Sequence, residues 1–223
     1  MSSLSIRIPA RELYDDRVDG WWLWRTGEFV AALAALVALS PVLLFTCTAV
    51  ALLSRRSPFV AHRRVGLDGE GFWMWKIRSM WGRNQPASGN GNWLVERIRT
   101  KGLPKQKRND DPRVTSRLAR FLRRYSVDEL PQLAHVVSGR MSLVGPRPLV
   151  REELRAYYGP DAREVLRVRP GLTGLWQISG RSGLTYTERR QMDLHLVRRR
   201  SAWFYFRVLL RTLPVVAWGT NSW

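Results

Sequence analysis

Cysteine is almost missing from this 223-residue chain: Cys47 stands alone, which excludes a disulfide framework and a cysteine-ligated zinc. It sits inside an apolar run, where a thiol behaves as a small hydrophobe. Histidine is nearly as scarce, and His62, His135 and His195 show no metal-ligand spacing, so they read as structural. No Walker A loop, no G-x-G-x-x-G and no G-x-S-x-G elbow occurs, and nucleotide binding would need another device. A secretory signal is missing too, because no basic start runs directly into an apolar core. Repeats and low-complexity tracts are absent. Acidic residues are few, 18 against 37 lysines and arginines, for a formal charge of +19. Such an excess points to a polyanionic partner, nucleic acid or an anionic membrane surface, and charge alone does not choose.

What is present is apolar and aromatic. With 45% hydrophobic and 11% aromatic residues the chain can bury one good core, and one compact domain is the default. Eleven tryptophans favour a membrane interface. The first 28 residues hold four arginines against five carboxylates, so the whole basic surplus follows them.

Residues 1–24 read as a leader, closing on Trp21-Trp22-Leu23-Trp24-Arg25, three indoles and a cation at what would be headgroup level. Residues 25–56 read as a membrane-inserted helix: Phe29 to Leu53 carries no formal charge and, at about 1.5 Å per residue, is long enough to cross a bilayer. Ser40-Pro41 interrupts it. Proline removes one backbone hydrogen bond and predicts a kink or reversal, and the Ser40 hydroxyl can take a freed carbonyl. A re-entrant hairpin is favoured by that break; a straight crossing and a buried core helix stay open. Arg55, Arg56, Arg63 and Arg64 follow at once, which puts the basic remainder on the cytoplasmic side in both membrane readings.

Residues 57–223 form the expected cytoplasmic catalytic domain of an α+β, mostly α-helical fold. Val60 to Arg64 and Phe72 to Ile77 flank a glycine-rich turn and predict a small β-hairpin. Residues 81–107 read as a surface loop, lid or linker. Ser116 is an N-cap for a helix presenting Leu118, Phe121, Leu122 and Tyr125, and Leu130 to Val137 form a second helix ended by Ser138-Gly139. Asp161 to Val168 predict a third helix, Trp176 to Arg181 a turn or short strand, and Thr187 the cap of a helix reaching Arg200. Trp203, Phe206, Leu209, Leu210, Leu213 and Val216 recur at helical spacing, as an interfacial amphipathic helix or as one packed on the core.

The chemistry is expected at Asp128-Glu129, adjacent carboxylates preceded by Arg123 and Arg124. The bland reading is a helix cap, either a Ser126–Glu129 capping box or Asp128 itself ahead of Pro131. A carboxylate kept ionised by a helix terminus and by arginines can equally hold Mg²⁺ or attack phosphorus, while the second serves the other role. Arg147, between Pro146 and Pro148, is a guanidinium on a stiff backbone, suited to phosphate. Asp110-Asp111-Pro112-Arg113 can supply another carboxylate and arginine, or be a plain turn.

Taken together, Trp75-Lys76-Ile77-Arg78-Ser79-Met80, Asp111-Pro112-Arg113-Val114-Thr115, Tyr125 through Leu133, Met141 through Pro148 and Arg169-Pro170-Gly171-Leu172-Thr173-Gly174 resemble the bacterial sugar transferases, monotopic polyprenyl-phosphate hexose-1-phosphate transferases. The likeness covers about Arg25 to Gly219 in one motif order. It implies a re-entrant helix broken at Ser40-Pro41, residence in the bacterial inner membrane with the domain on the cytoplasmic face, and transfer of a sugar phosphate from a UDP-sugar to polyprenyl phosphate with release of UMP. By the resemblance Asp128 is the nucleophile, Glu129 assists at a Mg²⁺ site that both carboxylates share, and Lys76, Arg78, Arg113, Arg147 and Asp193 fall at substrate-binding positions. The partners are then UDP-sugar, polyprenyl phosphate and membrane lipid, with no nucleic acid and a homo-oligomer left open. Larger members carry further membrane helices, so this chain is expected to be the minimal catalytic form. It departs from the family pattern at Glu28, His62, His135, Arg140 and Tyr205, which touches sugar choice and docking of the last helix rather than the dyad. A rival from another class is a basic membrane-anchored scaffold or nucleic-acid-binding protein without catalysis. Direct attack by the lipid, with Asp128 only a metal ligand, is a third.

Overall fold

A computed structural model describes residues 22–80, 114, 116–180 and 183–219. The leader up to Trp21, the 81–107 loop and the Asp110-to-Arg113 segment lie outside the described residues.

Helix α1 (Trp22–Ala38) and helix α2 (Ser40–Ser54) meet across Leu39 with a bend of 56°. The cause is local. Pro41 has no amide for the Val37 carbonyl four residues earlier, and the Ser40 hydroxyl donates to that carbonyl instead, at 2.7 Å. The Leu39 and Leu43 amides keep their helical partners Ala35 and Leu39, both at 2.9 Å. Among the described residues no single helix is long and apolar enough to cross a membrane, whereas the bent pair together meets that requirement. Glu28, Ala32, Thr46 and Val50 face the protein. Leu44 and Phe45, next to the bend, are 71% and 74% exposed, an apolar surface that water would disfavour.

Strands β1 (Phe59–Val65) and β2 (Gly71–Ile77) pair antiparallel from Phe59↔Ile77 to Val65↔Gly71. This is the expected hairpin, slightly longer at its ends. Alternation decides its faces. Phe72 and Met74 pack with Ala32, Leu133, Val136 and Met141, while Trp73 and Trp75 point outward and are half-exposed.

Helix α3 (Arg117–Arg124) starts where Ser116 accepts from the Ala119 amide at 3.0 Å, as expected of an N-cap. Its buried stripe is Ala119 and Leu122, of which Leu122 packs with Val50 and Ile77; Phe121, expected on that stripe, is exposed and packs on Tyr125. Ser126 then turns left-handed at φ 56, and a 3-10 turn (Val127–Gln132) passes into α4 (Leu133–Val137).

Strand β3 (Ser142–Val144) runs parallel to β4 (Gly171–Thr173). Strands of three residues have no readable period, so this pair was not foreseen. The connection between them holds α5 (Arg151–Glu153), a π turn (Leu154–Tyr158), a 3-10 turn (Gly159–Asp161) and α6 (Ala162–Val165). The helix expected over Asp161 to Val168 is thus confined to four residues. Trp176 lies in helix α7 (Leu175–Ser179), not in a turn or strand. Helix α8 (Tyr186–Arg198) is capped by Thr185 rather than Thr187: Glu188 three residues on closes a capping box, with the Thr185 amide donating to Glu188 at 2.7 Å. Helix α9 (Ala202–Ala217) buries Tyr205 and Val208 against Val144 and Leu196, yet leaves Trp203, Phe206, Leu210 and Leu213 exposed. Both readings of the last helix therefore hold in part.

Candidate active site

The loop from α3 to α4 and the end of β2 build one wall. Asp128 and Glu129 occupy the first turn of the 3-10 segment, and β2 lies alongside it. The expected Ser126 cap does not form: Ser126 is left-handed and its side chain makes no cap hydrogen bond. Asp128 is buried, 7% exposed, and the Ser79 hydroxyl donates toward its Oδ2 at 3.5 Å. Glu129 faces outward more, and its Oε1 holds the Lys76 ammonium at 2.5 Å, with Arg147 Nη1 at 4.0 Å. Residues from two distant segments thus converge on one carboxylate. Among the described residues Lys76 and Arg147 bring cations to Glu129, while Arg124 lies over the Tyr125 ring at 5.7 Å.

Arg147 is delivered by the turn after β3. The Gly145 amide donates to Thr173 O at 2.9 Å and the Gly171 amide to Pro146 O at 2.8 Å. A side chain on Gly145 or Gly171 would run into the backbone of the other, so the close approach requires glycine. The Arg147 guanidinium lies over the Trp176 ring at 5.5 Å, and Arg189 lies 4.8 Å from the same ring. Arg189 also covers Tyr186 at 5.1 Å, and Tyr186 stacks on Tyr157 at 3.9 Å. These cation–π contacts hold two guanidinium groups in a fixed frame.

Asp193 is wholly buried, and Tyr158 donates to its Oδ2 at 2.7 Å. Burial pushes its carboxyl up to about 7, against the opposing effects of the Tyr158 hydrogen bond and of the charge and backbone amide of Arg147. Burial and the adjacent Asp193 likewise hold the Tyr158 hydroxyl firmly protonated. Asp193 therefore sits behind Arg147, its carboxyl shared between the Tyr158 hydroxyl and the Arg147 backbone. Arg64, 3.6 Å from Glu153, is pulled down by burial, with Glu153 opposing.

Arg78 is also buried, and its Nε donates to Ser57 O at 2.8 Å; burial and then Arg56 lower its guanidinium. In this structure it fastens the start of β1, while Lys76 two residues earlier reaches the dyad. Arg113 lies outside the described residues. His135 is structural, as expected: it accepts the Trp75 amide at Nε2, 3.1 Å away, and burial lowers its imidazolium, helped by Arg140. Sequence reasoning passed over Ser79 and Trp176 as site residues. Ser79 could have been found as the hydroxyl directly following Lys76-Ile77-Arg78; Trp176 had no local signal.

No group of three or more His, Cys, Asp or Glu gathers among the described residues. Mg²⁺ does not require one, since it takes one or two carboxylates and completes its shell with water and phosphate. The paired oxygens of Asp128 and Glu129 suit such a hard cation, and on Glu129 the ion would share the carboxylate with Lys76.

A family model described as bacterial sugar transferase matches residues 20–219. The exopolysaccharide production protein ExoY of Sinorhizobium fredii is 38% identical over 89% of this chain and 87% of its own length. The UDP-galactose-lipid carrier transferase of Erwinia amylovora is 38% identical over 87% of this chain, but only 40% of its own length is covered. The UDP-glucose:undecaprenyl-phosphate glucose-1-phosphate transferase of Escherichia coli is 34% identical over 92% of this chain and 43% of its own length.

Proposed function

Because the chain belongs to the bacterial sugar transferase family, we propose that it is a phosphoglycosyl transferase of the inner membrane that moves a sugar 1-phosphate from a UDP-sugar to undecaprenyl or a similar polyprenyl phosphate. UMP leaves, and the lipid-linked sugar diphosphate starts an exopolysaccharide or related glycan. The observation that carries this reading is the buried Asp128 beside a Glu129 held by Lys76 and Arg147, on a molecule whose bent α1–α2 pair exposes apolar side chains.

An Asp128 oxygen attacks the sugar-linked phosphorus of the donor. The phosphoanhydride bond breaks, its electron pair leaves with UMP, and an acyl phosphate to the sugar remains on the enzyme. A lipid phosphate oxygen then attacks the same phosphorus and restores the free carboxylate. Lys76 and Arg147 set positive charge where charge builds on the phosphoryl oxygens, and Arg147 can fork onto two of them. Asp128 and Glu129 would hold Mg²⁺, which when bound neutralises diphosphate charge. The bent helix pair fits a re-entrant anchor that seats the domain on the cytoplasmic face, where a soluble donor and a lipid acceptor both have access.

The test is UMP release by the purified chain with polyprenyl phosphate and a panel of UDP-sugars. Asp128→Asn should lower the rate at least about 10³-fold, and wild type incubated with radiolabelled donor alone should retain sugar phosphate on the protein. An Asp128→Asn enzyme of near-normal rate would remove the nucleophile. Full activity without any labelled enzyme would favour direct attack by the lipid, and a wild type inert toward every donor would favour a non-catalytic scaffold.

A further inference from the structure

The strand that delivers Arg147 is held on its other side by a buried carboxylate for which the transfer chemistry has no task. Glu28 of α1 is 5% exposed. Its Oε1 accepts from the Leu143 amide at 2.8 Å and from the hydroxyls of Ser142 and Tyr205. The Tyr205 hydroxyl, from α9, accepts in turn from the Val144 amide at 3.0 Å. Trp24, one turn before Glu28 on α1, meets the Tyr205 ring edge-on at 4.9 Å.

The four successive amides leading into the Arg147 turn can be accounted for one by one. Those of Ser142 and Gly145 donate to Pro170 and Thr173, each at 2.9 Å, on the β4 side. Those of Leu143 and Val144 go to side chains, Glu28 and Tyr205. A buried amide that loses its acceptor is costly, so β3 cannot shift without giving up bonds to α1 or α9. Three residues beyond the strand, the backbone places the guanidinium 4.0 Å from Glu129, and catalysis by positioned charge is sensitive to displacements of about 1 Å.

We infer that Glu28 is a positioning residue for the transfer reaction: by gripping Ser142, Leu143 and Tyr205 it fixes β3 and so the reach of Arg147 toward Glu129 and the donor phosphate. The apolar helix is on this view part of the catalytic frame and not only an anchor. Tyr205 is its necessary partner, since it supplies a donor to Glu28 and an acceptor to Val144 through one hydroxyl. The kinetic half of the inference rests on the phosphoryl-transfer reading above; the structural half rests on the hydrogen bonds alone.

Two measurements on the full chain in nanodiscs separate those halves. In hydrogen–deuterium exchange, Glu28→Ala and Tyr205→Phe should each speed exchange in a peptide covering 141–148 by about tenfold, with peptides of the β1–β2 hairpin unchanged. Glu28→Gln, which keeps an acceptor oxygen, should restore much of the protection. In UMP release, Glu28→Ala should lower kcat about tenfold in the wild-type background and less than about twofold in an Arg147→Ala background, because the residue acts through Arg147. Unchanged exchange at 141–148, an equal rise across all peptides, or kinetic losses that simply multiply would each overturn the inference. A wild type inert toward every donor would instead sink the transferase reading, and the exchange result would still decide whether Glu28 fixes β3.

Discussion

Asp193 is a residue where burial has a testable consequence. In the folded chain its carboxyl holds a proton up to about pH 7, whereas in the unfolded chain it releases it near 3.9. Between those values the folded state binds more protons, so the contribution is fully present below about pH 4 and is lost as pH rises through about 7. Thermal unfolding in detergent should therefore show stability falling between about pH 4 and about pH 7, by an amount on the order of a few kcal/mol, and Asp193→Asn should flatten that slope. A slope unchanged in the variant would assign it to other groups. Asp128, Glu129 and Arg147 were legible in the sequence, since carboxylates beside arginines and a cation between prolines are local patterns, whereas Lys76 stood out only through the family resemblance. The depth of Asp193 and the grip of Glu28 were not, because each arises from elements far apart in the chain: Tyr158 meets Asp193, and β3 and α9 meet Glu28.

Single elements carry their own tests. The bend between α1 and α2 was readable from Ser40-Pro41 because a missing amide acts within one turn, and the Ser40–Val37 bond is the form the sequence led one to expect. Replacing Ser40 and Pro41 with alanine restores an unbroken helix from Trp22 to Ser54, roughly 50 Å long at 1.5 Å per residue, enough to cross. A cysteine at Ser3 in a Cys47→Ser background should resist an impermeant external thiol reagent in the native helix pair and become labelled in the double alanine variant. Labelling in both would rule out a re-entrant anchor. The β3–β4 pair was not readable, yet it holds the turn that delivers Arg147. Gly171→Ala would drive a methyl group into the Gly145 backbone, and UMP release should fall at least about tenfold while the hairpin peptides keep their exchange protection. Near-normal turnover would show that the Arg147 turn tolerates displacement.

At the scale of the whole molecule the question is what the charge of +19 is for. Exposed Trp203, Phe206, Leu210 and Leu213 on α9 and exposed leucines and Phe45 on α2 argue for apolar insertion with the cations at the lipid surface. Insertion of that kind survives salt. Membranes washed in 1 M salt, where screening reaches about 3 Å, should keep the chain and release it only to detergent; a scaffold held by nucleic acid would come off in the wash. The fold class, the hairpin and the helical remainder followed from periodicity, while the way they close on one another did not. Closure also has an order in time. Glu28 and Tyr205 are 177 positions apart, so at about 5–20 residues per second of synthesis a ribosome needs roughly ten seconds or more after making the first to make the second. Through that interval α1 presents to the insertion machinery a carboxylate whose last partner does not yet exist, and the nascent chain completes its lock only once α9 has been made.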